Sequence, residues 1–277
     1  MSAQPSNELG EIAGRKPHEM RSLIRSGEWS AVTTGACLGY VQANLVVLPA
    51  ALADDFHLLC RANPQALPLL EATPTGRATD LVTAASADIR TDLPGYQVHR
   101  GGRLDAEVAD LNQLWQDDFV AFLLGCSFSA ENQLLQAGVR LRHLELGQGV
   151  PMFITSRQCD PAERFHGPIV VSMRPIAAAE VDRAVEVTRR FPLAHGAPLH
   201  VGAPESLGIE DLSRPEWGEP IDLAPDEVPV FWACGVTPQA IIRAVRPELA
   251  ITHAPGHMFI TDLREEMIEG RTQVDGC

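Results

Sequence analysis

A chain of 277 residues with 45% apolar residues is long enough for one large α/β domain or two smaller ones. Its formal net charge of −14 argues against a nucleic-acid partner, because phosphate binding requires a basic surface. Lys16 is the only lysine, which excludes reactions that need a buried lysine and leaves carboxylate recognition to arginine.

The N-terminal segment and the cysteines indicate the compartment. Residues 1–14 are polar and lack the apolar core of a signal peptide, and no apolar run is long enough to span a bilayer. The cysteines have no CxxC spacing, so we expect neither a disulfide framework nor a zinc knuckle. The sequence therefore predicts a cytoplasmic protein with reduced thiols and no membrane contact; the cysteines are Cys37, Cys60, Cys126, Cys159, Cys234 and Cys277.

The first half of the chain is predicted to mix helices with short strands. Apolar periodicity and proline positions predict helices over residues 17–29, 50–63 and 130–138. Three glycines among polar residues predict an exposed loop or hairpin over 94–105. Short apolar runs predict strands at 44–48, 69–71, 87–92 and 119–126.

The second half is predicted to contain two helices and more strands. One helix is expected over 177–190 and the other from Pro238 to about Ala244, and the acidic, loop-rich segment 204–225 is expected to be an exposed connection. Pro255 and Gly256 predict a loop rather than a helix between the last two strands. Strands are expected at 139–145, 151–155, 168–172, 199–202, 228–233, 250–252 and 258–261.

Two stretches share one device, a buried strand followed by a Gly/Cys turn and a helix. They are Phe119–Gly138 and Val228–Ile242. In the second, Thr237 stands where an N-cap belongs and Pro238 occupies the first helical position. Helix N-termini favour carboxylates, so Cys126, Ser127, Gly235 and Thr237 are candidate substrate-binding residues. The alternative is an ordinary βα turn with a core cysteine.

Several titratable residues are candidates for catalysis or binding. Cys126 and Cys234 lie near helix N-termini that would lower a thiol pKa, although a buried inert cysteine is commoner. Glu131 and Asp262 are acid/base candidates, with a solvated first-turn Glu and a turn Asp as the alternatives. Pro175 disfavours helix at Arg174 and holds it extended, which suits the presentation of a guanidinium.

Four histidines, His195, His200, His253 and His257, lie in Gly/Pro-punctuated loops at strand ends, where sites occur in α/β folds. Each also has the alternative of a structural histidine. His253 and His257 are four residues apart, as zinc ligands on a helix are, but the intervening Pro255-Gly256 breaks that helix. We therefore expect no metal site there.

Six motifs in order resemble the bacterial "putative hydro-lyase" family, which is related to the D-glutamate cyclase domain. The resemblance spans nearly the whole chain. The motifs are TTGACLGYVQANLVVLP (33–49), FLLGCSFSAENQLLQAGVRLRH (122–143), GPIVVSMRPI (167–176), HGAPLHVGAPESLGIEDLSRPEWG (195–218), VPVFWACGVTPQA (228–240) and ITHAPGHMFITD (251–262).

The resemblance implies a two-domain mixed α/β fold. We expect the second, smaller α/β domain to be inserted in the first and to comprise residues 113–225. The main domain would then be built from residues 10–112 together with 226–277. A homo-oligomer is also compatible with this family.

The resemblance also implies a carbon–oxygen lyase that acts on a small amino or carboxylic acid, with cyclisation of D-glutamate to 5-oxo-D-proline as the most specific activity. That reaction requires deprotonation of an ammonium, protonation of a departing oxygen and stabilisation of an oxyanion. We expect Arg174, His195 and the two helix N-termini to bind carboxylates. His253 or His257 would transfer protons, with Asp262 or Glu131 orienting them.

Other mechanisms stay open from the sequence. A thioester on Cys234 or Cys126 is compatible with the reaction but not required by it, and no metal or organic cofactor is demanded. The alternative functions are hydration or dehydration of another small acid, and non-catalytic binding of a small acid.

Overall fold

The computed structural model describes residues 12–274, so the predictions for residues 1–11 and Cys277 lie outside the described part of the chain. Six helices are α1 Pro17–Arg25, α2 Ala50–Ala62, α3 Glu131–Gln136, α4 Arg142–Leu146, α5 Val181–Arg189 and α6 Thr237–Val245. The strands are β1 Tyr40–Pro49, β2 Leu69–Ala72, β3 Tyr96–Arg100, β4 Arg103–Val108, β5 Phe119–Gly125, β6 Met152–Gln158, β7 Pro168–Ala177, β8 His200–Val201, β9 Glu227–Ala233, β10 Leu249–His253 and β11 Phe259–Arg264. Within residues 12–274, no helix is both long enough and apolar enough to cross a bilayer.

The larger sheet has seven antiparallel strands in the order β2-β5-β1-β10-β3-β4, with β11 also pairing with β1. Strand β1 is buried on both faces because its alternate side chains enter two cores. Leu45 and Val47 belong to one core, whereas Val46 and Leu48 pack with α2 and α6 on the other face. The continuous apolar run of β1 follows from this double burial.

The smaller sheet has the order β6-β7-β9-β8 and is antiparallel throughout. Its strands are consecutive in the sequence, whereas the larger sheet takes strands from both sides of them. The fold is therefore mixed α/β, as predicted. Glu227–Ala233 pairs with β7 in the smaller sheet, and the chain returns to the larger sheet at β10. The insertion of residues 113–225 as a separate domain stays a prediction.

Three local predictions were wrong. Residues 87–92 form turns and an isolated bridge between Thr79 and Asp88 instead of a strand. The segment 139–145, expected as a strand, contains the start of helix α4. The strand predicted at 168–172 is longer, because β7 continues through Pro175 to Ala177. Proline is compatible with this strand because extended backbone suits its fixed φ. The loop predicted around Pro255-Gly256 is confirmed, and 94–105 is a hairpin of β3 and β4.

Candidate active site

A cavity of about 300 Å³ lies between the two sheets, and we call it the inter-sheet cavity. The larger sheet contributes Asn44 from β1 and His253 from the end of β10. Met152 of β6 and Cys234, which follows β9, come from the smaller sheet. The turn after β5 adds Cys126, Ser127 and Phe128. Residues of both strand–turn–helix devices therefore line the same cavity.

His253 is the titratable side chain most deeply placed in this cavity. It is 1% exposed, and its Nδ1 lies 3.3 Å from both the backbone nitrogen and the carbonyl oxygen of Leu45. In the tautomer whose Nδ1 donates to the carbonyl, Nε2 carries the lone pair; in the tautomer whose Nδ1 accepts from the N–H, Nε2 carries the proton. Nε2 is buried and has no hydrogen-bond partner among the described residues. Burial lowers the pKa of His253 to about 4, so the imidazole is neutral near pH 7.

The turn after β9 depends on the close approach of Gly235 to Asn44. A Cβ at position 235 would lie 1.9 Å from Cγ of Asn44, so only glycine fits there. The Asn44 amide donates to the carbonyls of Gly125 at 2.7 Å and Leu124 at 3.3 Å. Asn44 therefore joins the Cys126 turn to the Cys234 turn at the wall of the cavity.

The thiols in this wall are kept protonated. Burial raises the pKa of both Cys126 and Cys234, although the backbone N–H groups of Gly235 and Val236 hydrogen-bond Cys234 and oppose the shift. Those N–H groups precede the first turn of α6, a helix of nine residues, and thus form a place for negative charge. Protonated thiols are poor nucleophiles, so this arrangement favours Cys126 and Cys234 as residues that line the cavity over a role as thiolate nucleophiles.

Thr237 was predicted to be the N-cap of α6, but it is not. The N-cap is Val236, and Thr237 is the first helical residue. The Thr237 hydroxyl is fully buried, donates to the Cys234 carbonyl at 2.7 Å and accepts from the Val170 N–H at 3.1 Å. It fixes the turn against β7 and does not line the cavity.

Arg174 was predicted to bind substrate, but it lies behind the cavity wall. Because β7 continues past it, its side chain is 2% exposed and does not line the cavity. Nη2 donates to Glu131 Oε1 at 2.6 Å and to Ser127 Oγ at 3.1 Å, and Nη1 donates to Ser172 Oγ at 3.3 Å. Ser172 in turn contacts the Cys234 thiol. Arg174 therefore positions two wall residues, Ser127 and Cys234.

Glu131, predicted as an acid or base, is the counter-ion of this arginine. It is 1% exposed, and its Oε1 also lies 2.9 Å from His143 Nε2. Burial alone would raise the pKa of Glu131, but His143 and Arg174 outweigh that effect and hold the pKa below its ordinary value. A carboxylate committed to these partners is a structural anion and does not reach the cavity.

The three other predicted site residues do not line the inter-sheet cavity. His257 lies beside Gly95, with Nδ1 2.9 Å from the Pro255 carbonyl oxygen. Asp262 lies on β11 and forms an ion pair with Arg21 at 2.9 Å, so the charge of Asp262 is neutralised by that arginine. His195 belongs to a different cavity. Adjacency in a motif did not imply adjacency in space for these residues.

Sequence reasoning missed Asn44, Ser172 and His143. The first two had a usable signal, because each is a polar residue inside an apolar strand and is now at most 2% exposed. His143 had none, since it lies in a segment that was taken for a strand.

Comparison with known proteins identifies close relatives. Residues 120–262 match the family model described as D-glutamate cyclase. A protein named "Putative hydro-lyase" from Stutzerimonas stutzeri is 56% identical, covering 91% of this chain and 95% of the relative. One of the same name from Thermoanaerobacter sp. is 53% identical and covers 91% and 96%. A solved structure of a nitrogen repressor-like protein from Methanococcus jannaschii aligns over 85% of this chain and 91% of its own, with 10% identity and a TM-score of 0.38.

Proposed function

The chain belongs to the D-glutamate cyclase family, and we propose that it is a lyase that cyclises D-glutamate to 5-oxo-D-proline with loss of water in the inter-sheet cavity. The observation that supports this most directly is that His253 lines the cavity while its Nε2 has no hydrogen-bond partner among the described residues. A buried polar atom without a partner is costly, and a substrate proton would satisfy it.

The reaction requires two protons to move. The α-ammonium loses both before it becomes an amide N–H, a C–N bond forms at the side-chain carboxyl carbon, and the departing oxygen leaves as water. We assign the transfer of these protons to His253, whose neutral imidazole accepts from the amine and returns the proton to the leaving oxygen. A bound carboxylate near the ring would raise its pKa towards the working range.

The tetrahedral oxyanion would be stabilised by backbone donors. The N–H groups of Gly235 and Val236 are directed at the Cys234 thiol, and the positive end of α6 adds to them. No arginine lines the described cavity. Substrate carboxylates would therefore be held by neutral donors, namely these N–H groups and the hydroxyl of Ser127.

The experiment is to incubate the purified full chain with D-glutamate and to follow the products by NMR. We expect 5-oxo-D-proline from the wild type and a loss of at least about 100-fold in turnover for His253→Gln. The exposed His166→Gln is the matched control and should turn over normally. Absence of product at high enzyme concentration overturns the substrate. Thermal stabilisation by D-glutamate without product would instead indicate a binding protein.

A further inference from the structure

Asn44 on β1 borders the inter-sheet cavity with an amide whose orientation is determined by its contacts. Nδ2 donates to the carbonyl oxygens of Gly125 at 2.7 Å and Leu124 at 3.3 Å. Because carbonyl oxygens only accept, the NH2 group and not the oxygen must face them, and both of its hydrogens are used. The other end of the amide, Oδ1, can only accept a hydrogen bond from elsewhere.

Oδ1 is open to the cavity and is held in place. It accepts no hydrogen bond from the described residues, and it is not one of their side-chain atoms that are both unpartnered and closed to water. Oδ1 is therefore in contact with accessible space, although Asn44 as a whole is only 2% exposed, and the space that Asn44 lines is the inter-sheet cavity. A Cβ at position 235 would lie 2.0 Å from Oδ1, so the Gly235 backbone packs against the amide and keeps it from turning.

This acceptor lies close to the histidine assigned to proton transfer. Nδ1 of His253 lies 3.3 Å from the backbone nitrogen of Leu45, which forms the peptide bond to Asn44. Asn44 and His253 also line the same cavity. A nitrogen atom that donates one N–H to Oδ1 keeps its other hydrogens for the imidazole and, once neutral, keeps a lone pair for attack on a carboxyl carbon.

The charge of the cavity lining favours a cationic donor. Glu219 is the one side chain with a formal charge near pH 7 among the described residues that line the cavity. It is exposed and forms no ion pair with a described residue. An oxygen acceptor and a carboxylate both attract an ammonium, whereas a carbonyl oxygen at the position of the ammonium would face Oδ1, a second acceptor.

We propose that Asn44 makes the inter-sheet cavity specific for amino acids, because Oδ1 accepts an N–H of the substrate's α-ammonium and holds the nitrogen for His253. The inference rests on the proposed function, since it takes the α-nitrogen of D-glutamate as the group that is bound. An acid with a carbonyl oxygen in place of this nitrogen would leave Oδ1 without a donor. A site discriminates strongly against such an analogue, because its own polar group is then desolvated and unpaired.

The test compares the binding of three acids that differ at one carbon. D-Glutamate carries an ammonium there, 2-oxoglutarate carries a carbonyl oxygen and glutarate carries neither. Calorimetry measures all three on the full chain with His253→Gln, which should not consume D-glutamate. We expect D-glutamate to bind at least about 10-fold more tightly than 2-oxoglutarate, with glutarate between them. Equal affinities, or no binding of D-glutamate at about 10 mM, overturn the proposal without any change at Asn44.

Variants in the same background assign the preference to Asn44. Asn44→Ala should reduce the preference for D-glutamate over 2-oxoglutarate to less than about 3-fold. Asn44→Ser keeps a donor for the turn and lacks Oδ1, so it should do the same if the alanine variant does not fold. Ser127→Ala is the matched control, because it removes another polar group of the lining and should weaken both ligands alike. A preference that survives the change at Asn44 overturns the proposal.

The proposed reaction is judged separately, by the 5-oxo-D-proline that the wild type forms. Product together with a preference that is independent of Asn44 overturns only the role of Asn44. A preference that depends on Asn44, without any product from the wild type, overturns only the cyclisation.

Discussion

Nη2 of Arg174 lies 2.6 Å from Oε1 of Glu131, and both side chains are at most 2% exposed. The pair stands directly behind the cavity wall, where Arg174 holds the hydroxyls of Ser127 and Ser172. The attraction within a buried ion pair adds little net stability, because both charges lose their hydration on burial. Removing only one partner is costly, because the other is left as an unpaired buried charge.

Breaking this pair should therefore destabilise the protein more than removing it. We expect Glu131→Ala and Arg174→Ala each to lower the free energy of unfolding by about 3–5 kcal/mol, and the double variant Glu131→Leu/Arg174→Met to lose much less than their sum. Urea denaturation measures all three. The exposed pair Arg140–Glu145, also 2.6 Å apart, is the control and should show only a small effect. Additive losses would contradict the assignment.

The contact between Gly235 and Asn44 should be intolerant of a single methyl group. Gly235→Ala places a Cβ inside the Asn44 amide, so we expect a loss of about 1–3 kcal/mol in stability and a loss of substrate affinity. Adding Asn44→Ala should restore part of the stability, because it removes the obstructing amide. Gly14→Ala has open space around its Cβ and serves as the control in the same denaturation assay. An undisturbed Gly235→Ala variant would show that the turn is mobile.

The buried histidines should make stability depend on pH. His195 and His253 have pKa values of about 4 in the folded protein, against an ordinary value of 6.5. Between these values the unfolded chain binds more protons than the folded protein. The free energy of unfolding therefore has its full value above pH 6.5 and falls as the pH drops towards 4. Each residue contributes on the order of 3 kcal/mol to that fall.

The corresponding measurement is urea denaturation between pH 4 and pH 7. His195→Asn should make the slope of stability against pH shallower by one proton, whatever it does to stability at pH 7. The exposed His166→Asn should leave the slope as it is in the wild type. An unchanged slope for His195→Asn would mean that His195 is protonated in the folded protein.

Glu265 should have the opposite pH dependence. Burial raises its pKa, although Asn132 and Gln133 donate to Oε1 and oppose the shift. Above pH 4.5 the folded protein then binds more protons than the unfolded chain. The free energy of unfolding therefore falls as the pH rises and the Glu265 carboxyl ionises. We expect Glu265→Gln to raise the Tm relative to wild type at pH 8 and to gain less at pH 5. The exposed Glu248→Gln should gain equally at both.

The strand–turn–helix devices were predictable because they are local. An apolar run, a glycine and an N1 proline determine a turn within about ten residues, and the structure has both turns at one cavity. The motifs around them also gave the family, which the relatives confirmed. Cys126, Ser127, Cys234 and His253 were found in this way.

The roles of the charged residues were not predictable in the same manner. Arg174 was placed at a strand end because Pro175 follows it, but β9 pairs with β7 across this position and buries it. Glu131 became its counter-ion only when α3 packed beside β7, and Asp262 was taken by Arg21, which is 241 positions away. Which charges neutralise each other depends on long-range pairing.

The sequence alone therefore determined the family, the mixed α/β class, the two turns and four residues of the cavity wall, since these follow from local patterns and motif order. The tertiary structure decided which side chains face empty space and which are consumed by partners. Arg174 and Glu131 looked available in the sequence and are paired with each other, whereas Asn44 and His253 line the inter-sheet cavity, and Nε2 of His253 has no hydrogen-bond partner among the described residues. The physical reason is that burial and pairing, which set the charge and reactivity of a side chain, arise only when distant strands meet.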